Sequence, residues 1–348
     1  MNQPRTLRHL ARLCAAACLL PLAAQAGDYA VKATHRIGGD GGWDYLSCDP
    51  ASGRVFIARG DRVQVVDPVS GKLLGEIADT PGVHGVAIAA DLGKGYASNG
   101  RDQSVTVFDL ASLRTLGKVA TPAGDNPDFI AYDGATHRVF AFNGRSHDAT
   151  VIDAATDRVV ARIALGGKPE AAVADGRGHV FVEIEDRNSL TAIDSAAARV
   201  SASWPVAGCD EPAGLAIDAA AHRLFVACHN RAMVVVNADS GVAVATLPIG
   251  DGVDAAAFDA QAQLAFSSQG DGTLSIVKAE GGDRYRVQQT APTMAGARTM
   301  ALNPRTHEVY LVSAEFGEAP AATASQPRPR RPMKPGSFTL MVLAPKAD

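Results

Sequence analysis

Seven times along this 348-residue chain an acidic or amide residue closes a short apolar run, and an aromatic follows five to seven positions later. The first series is Asp49, Asp91, Asp133, Asp175, Asp218, Asp259 and Asn303, in steps of 41 to 44 residues, and the second is Phe56, Tyr96, Phe140, Phe181, Phe225, Phe266 and Tyr310. Turn chemistry at one phase and a buried ring at another, repeating near forty residues, specify a β-propeller. Length alone would suggest two domains. The repeat overrides that prior and predicts an all-β, seven-bladed propeller of four-stranded antiparallel blades, one domain over residues 27–348.

The third repeat shows the unit most clearly. Residues 128–132 read as a strand, 133–138 as a polar turn, 139–142 as a second strand, 149–152 as a third and 158–163 as a fourth. Short apolar or alternating runs bounded by Gly, Asp, Asn and Ser are strand and turn signals. The last repeat has only three such runs, at 298–302, 309–312 and 339–343. Residues 29–37, which precede the first full repeat, are therefore expected to supply its missing fourth strand and close the ring.

The phrase at residues 138–163, from Arg138-Val-Phe-Ala-Phe-Asn-Gly144 to Ala149-Thr-Val-Ile-Asp153 and Arg158-Val-Val-Ala-Arg-Ile163, resembles the YVTN β-propeller repeat of YncE-like proteins. Tyr96-Ala-Ser-Asn99 and Phe225-Val-Ala-Cys228 stand at the Tyr-Val-Thr-Asn position. The resemblance covers nearly all of the chain after residue 26. It implies an exported seven-bladed propeller and carries no shared catalytic motif, so no site residue transfers through it.

Arg5, Arg8 and Arg12 precede an apolar stretch, Leu13 to Ala24, and the small-x-small triplet Ala24-Gln25-Ala26. This pattern reads as a signal peptide cleaved after Ala26, too short for a stable membrane anchor, and implies a periplasmic or secreted protein. Its loss moves the formal charge from −4 to −7. A mildly acidic exported chain is a poor binder of phosphate backbones, and no later apolar run is long enough to span a membrane. Of the cysteines outside the leader, Cys48 lies in an apolar strand, whereas hairpin pairing brings the neighbourhoods of Cys209 and Cys228 together. A Cys209–Cys228 disulfide is expected.

In a propeller the first strand of each blade lines the central channel. The recurring turn acids, and His137, His179, His222 and His307 beside them, fall on the lower face as turn residues. Counting five residues back from each turn acid reaches the upper mouth at Asp44, Val86, Asp128, Glu170, Ala213, Asp254 and Arg298. In the two blades with an apolar residue there, His84 and Glu211 stand two positions earlier. So many carboxylates converging on one mouth call for a cation or an amine-bearing ligand. Trp43, beside Asp44, and Arg101, Arg145, His147 and His229 in the loops between second and third strands complete the candidate ligand-binding set. Asp44, Asp128, Glu170 and Asp254 are candidate ligands for a divalent cation, calcium or magnesium.

The seventh blade departs from the repeat through an insertion at about 314–337, which carries Pro320, Pro327, Pro329, Pro332 and Pro335 together with Arg328, Arg330, Arg331 and Lys334. Such a segment builds no core of its own, and its cations suit it to fold over an acidic mouth. Covalent haem, tryptophan-rich quinoprotein, nucleophile-elbow and phosphate-loop readings fail on missing motifs. The reading adopted is a monomeric, non-enzymatic propeller that binds a small polar or cationic ligand, a peptide or a periplasmic protein at its upper rim. The alternative is a metal-assisted lactonase or lyase using rim carboxylates, with His84 or His147 as general base.

Overall fold

The computed structural model describes residues 27–320 and 331–346. The leader, with its cleavage triplet, and the tip of the insertion lie outside the described residues. Seven separate four-stranded antiparallel sheets account for the described strands. Blade three, for example, runs Pro127–Asp133, Arg138–Asn143, Asp148–Asp153 and Arg158–Ala164 from the channel outward. Each first strand contacts the first strands of both neighbouring blades, and Leu46–Cys48 of blade one meets Met300–Asn303 of blade seven, so the ring is closed. Among the described residues the only helical segments are two 3-10 turns, Ala90–Leu92 and Glu185–Arg187.

The blades form because their runs are apolar on both faces, and neither face can be buried within one sheet. The second strands are almost wholly buried. All seven repeating aromatics, Phe56, Tyr96, Phe140, Phe181, Phe225, Phe266 and Tyr310, sit in the clusters between sheets. The polar phase does the opposite work: Asp49, Asp133, Asp175, Asp218, Asp259 and Asn303 each accept main-chain amide hydrogen bonds two or more residues on, which fixes the lower turns.

Closure occurs in blade seven. Tyr29–Arg36 pairs antiparallel with Thr339–Pro345, so the first and last described strands share one sheet. Gln289 of blade six holds this strand at both main-chain groups of Tyr29, and the Tyr29 hydroxyl donates to the carbonyl of His307. His307 in turn donates from Nδ1 to the fully buried Asp259 at 2.6 Å. Two further locks act elsewhere. Cys209 and Cys228 form a disulfide across a sequence separation of 19, in the core between blades four and five. Arg59 is fully buried, donates to the carbonyls of Gly39, Asp40, Gly41 and Gly42, and stacks its guanidinium 3.7 Å over Phe338. Arg59 thereby pins the connection between the closing strand and blade one.

Replacing both Cys209 and Cys228 by Ser is expected to lower stability by about 2–4 kcal/mol, the range for a loop of this size, and to lower the melting temperature without changing the far-UV spectrum. Arg59→Ala leaves four carbonyls without their donor and should cost at least about 2 kcal/mol in the same measurement.

Candidate functional site

One geometric device aims five of the seven ring positions at the upper mouth. In blades two to six the first strand carries one more residue than its partner near its entry, a bulge falling between Val83 and Val86, Pro127 and Ile130, Pro169 and Ala172, Pro212 and Gly214, and Val253 and Ala255. A bulge leaves a residue outside the ladder and re-aims its side chain. The released residues include His84, Asp128, Glu170, Ala213 and Asp254. Asp44 and Arg298 precede the shorter first strands of blades one and seven.

This register corrects the expectation for blade two. Asp91 lies in the 3-10 turn Ala90–Leu92, two residues past the strand end, and Ala89, paired with Lys94, is the true counterpart of Asp133 paired with Arg138. Five residues before Ala89 is His84. The histidine therefore occupies the ring position itself, and Val86 is a buried core residue. Glu211 gains no such promotion. It is exposed, in a left-handed turn, with its carboxylate 3.8 Å from His229.

Main-chain carbonyls of ring residues are clamped between blades. Ser98 donates to Asp128 O, Ser268 to Arg298 O, Thr299 to Asp44 O and the Tyr45 amide to His84 O. Above these clamps, His84 Nδ1 donates to Asp44 Oδ2 at 2.6 Å and stands 3.4 Å from Asp128 Oδ1. Burial opposes the imidazolium, but the hydrogen bond to Asp44 and the charges of Asp128, Asp44 and Glu170 outweigh it and raise the His84 pKa. Burial pushes the carboxyl groups of Asp128 and Asp254 up to about 7; the charges of Glu170 and Asp44 add to both, while His84 and Arg298 respectively pull the other way. Arg298 pairs with Asp254 at 3.0 Å. Lys168 bridges Glu170, at 3.2 Å, and Glu185.

Tyr45 was not singled out by sequence. Its hydroxyl, carried on blade one, donates at 2.9 Å to Glu170 on blade four, and its ring meets Phe129 of blade three edge to face at 5.0 Å. Burial raises its pKa, followed by the charges of Glu170, Asp254, Asp128 and Asp44, so the hydroxyl sits among all four ring carboxylates. Tyr45 and Phe129 also line a cavity of about 460 Å³, together with Val86, Ile88, Leu215, Phe258 and Met300. Cys48 lines the same cavity, and burial pushes its thiol up to about 12.

Glu183 is the second residue missed. It is fully buried, neither carboxylate oxygen has a hydrogen-bond partner, and burial, then the charges of Glu170 and Glu185, raise its pKa well above the carboxylate range. The Ala171 amide tempers that shift without making a well-formed hydrogen bond. Glu183 occupies the strand phase of Ser98 and Ser268, whose hydroxyls reach ring carbonyls of the next blade. An acid inside Val180-Phe-Val-Glu-Ile184 was the available signal, since nothing else in that strand is polar.

The remaining candidates lie outside this cluster. Trp43 packs on Phe338 at 5.2 Å and Phe316 at 6.0 Å, bracing the root of the insertion. Arg101 is exposed, and Arg145 pairs loosely with Asp125 at 3.8 Å. His147 is exposed in a left-handed turn whose carbonyl accepts from Leu165, which places it on the outer side of the rim and remote from a base role at His84. The described root of the insertion is a hairpin, with Phe316 bridged to Met333, Arg331 donating to Gly317 O and Lys334 paired with Glu315 at 3.3 Å. These two cations are committed there and not to the mouth.

No family model matches the chain, and no curated protein matches it in sequence. Solved structures do resemble it. A chain of hydrazine synthase from Kuenenia stuttgartiensis is 17% identical with a TM-score of 0.68, covering 78% of this chain and 92% of that one. A chain of a mitotic checkpoint complex is 14% identical with a TM-score of 0.69 and covers 99% of both. U3-55K is 12% identical with a TM-score of 0.72, covering 90% of this chain and 98% of its own. At such identities the likeness is one of fold: a seven-bladed propeller.

The raised pKa of Asp254 fixes the sign of a stability change. Between pH 4 and 7, approximately, the folded state holds a proton that the unfolded state releases, so stability present at the acid end is lost as pH rises through 7. Asp254→Asn should therefore stabilise the protein more at pH 8 than at pH 5, by about 1 kcal/mol or more. Chemical denaturation at both pH values reads this directly, and an unchanged difference would place the Asp254 titration in the ordinary range.

Proposed function

We propose that this protein is an exported YVTN-type binding propeller that acts without catalysis and recognises a positively charged ligand at its upper mouth. The observation that carries the reading is the convergence of Asp44, Asp128, Glu170 and Asp254 around the buried Tyr45 hydroxyl, with His84, Lys168 and Arg298 as the cations paired to them among the described residues. Like charges brought together under partial burial repel and retain protons, and a bound cation relieves both effects. The disulfide is in keeping with export, since such bonds persist in oxidising compartments. The hydrolytic alternative is supported by one feature, the Asp44–His84–Asp128 contact, and a lactone screen of metal-supplemented protein tests it through turnover lost in Asp128→Asn.

Mature protein titrated with a polyamine, arginine amide, a lysine-rich peptide and divalent ions should show saturable binding to at least one, with a change in the Tyr45 near-UV signal. Neutral analogues should not bind. The combined Asp44→Asn, Asp128→Asn and Asp254→Asn variant should weaken binding at least about tenfold, worth roughly 1.4 kcal/mol. Failure of every cation, or equal binding by the folded variant, would remove the reading. N-terminal sequencing of the periplasmic form tests export, with Gly27 as the expected first residue.

A further inference from the structure

We infer that the cation held at the mouth is a first-row divalent metal ion bound by Asp44, His84 and Asp128. The inference rests on the cationic reading of the mouth and specifies which cation it takes. Among the described residues this is the one group of His, Cys, Asp and Glu side chains whose donor atoms converge, all lying within 4.8 Å of one another. His84 Nδ1 is 2.6 Å from Asp44 Oδ2 and 3.4 Å from Asp128 Oδ1. Donors arranged tetrahedrally around such an ion are separated by about 3.3 Å, so small side-chain rotations suffice to admit it.

The donor set decides the class of ion. One imidazole with two carboxylates suits zinc, manganese or cobalt, whereas an imidazole is a poor ligand for calcium or magnesium, which favour all-oxygen sites. The selection of residues also differs from the four ring carboxylates taken together. Glu170 is engaged by Tyr45 and Lys168, and Asp254 by Arg298. Asp128, by contrast, accepts no hydrogen bond at its carboxylate among the described residues, although only 18% of its side chain is exposed, and its one close charged contact is His84.

With three protein ligands, each partly open to the solvent above, the ion keeps positions for water or for an oxygen-bearing ligand.

The test uses the metal alone. Mature protein stripped with chelator and titrated with Zn²⁺ and Mn²⁺ should bind about one equivalent and gain thermal stability, while Co²⁺ should give visible absorption bands characteristic of nitrogen and oxygen ligands. Asp128→Asn and His84→Gln, each checked for the native far-UV spectrum, should weaken binding at least about tenfold and abolish the cobalt bands; Asp125→Asn, a half-exposed acid outside the mouth, should change affinity less than about threefold. Ca²⁺ should not compete. Absence of stoichiometric metal, or metal binding that survives His84→Gln, overturns the assignment. If organic cations bind while metals do not, the site falls and the cationic mouth stands; if neither binds, both fall.

Discussion

The whole structure depends on the fact that no blade can bury its own two faces. Each four-stranded sheet is apolar above and below, and the only surfaces that cover it belong to the sheets on either side. A stack of this kind is finished only when its last member meets its first. The pairing of Tyr29–Arg36 with Thr339–Pro345 supplies that meeting, and the contacts of Tyr29 with Gln289 and His307 bind the closing strand to blade six as well as to blade seven. Stability is consequently a property of the ring, and local changes at the seam are felt by every blade.

Ring closure also makes the mouth. Seven equivalent first strands meet at one opening, and in five of them a bulge turns one side chain toward it without disturbing the ladder behind. The fold determines where these residues stand and leaves their identity free. In this chain the freedom has been used for four acids, with His84, Ala213 and Arg298 interrupting the series. The serine and threonine clamps hold the carbonyls of the same residues, so the main chain of the ring is fixed while its side chains face a shared, partly dehydrated space.

Much of this was legible because propeller repeats write architecture in two phases, with buried rings in all seven units and turn acids or amides in six. The closing strand was readable for the same reason, from a last repeat that lacked its fourth run. The mouth was harder to read. Asp91 imitates a turn acid but sits in a 3-10 turn beyond the strand, so a count from it shifted blade two by two residues and hid the equivalence of His84 with Asp128. Tyr45 and Glu183 escaped because their roles arise across the ring: the one reaches from blade one to blade four, and the other matters through Glu170 on a neighbouring strand. Arg145 and His147 were drawn in by their loop, and only the backbone shows that Arg145 sits against Asp125 while His147 bonds toward the outer strand.

Tyr45 has a further consequence for how the mouth responds to a ligand. With its ring against Phe129 and its hydroxyl on Glu170, it joins blades one, three and four beside the cavity that it lines. A ligand that competes with Tyr45 for Glu170 would loosen a tie between distant blades, so occupancy of the mouth and the rigidity of the ring are linked through one hydroxyl.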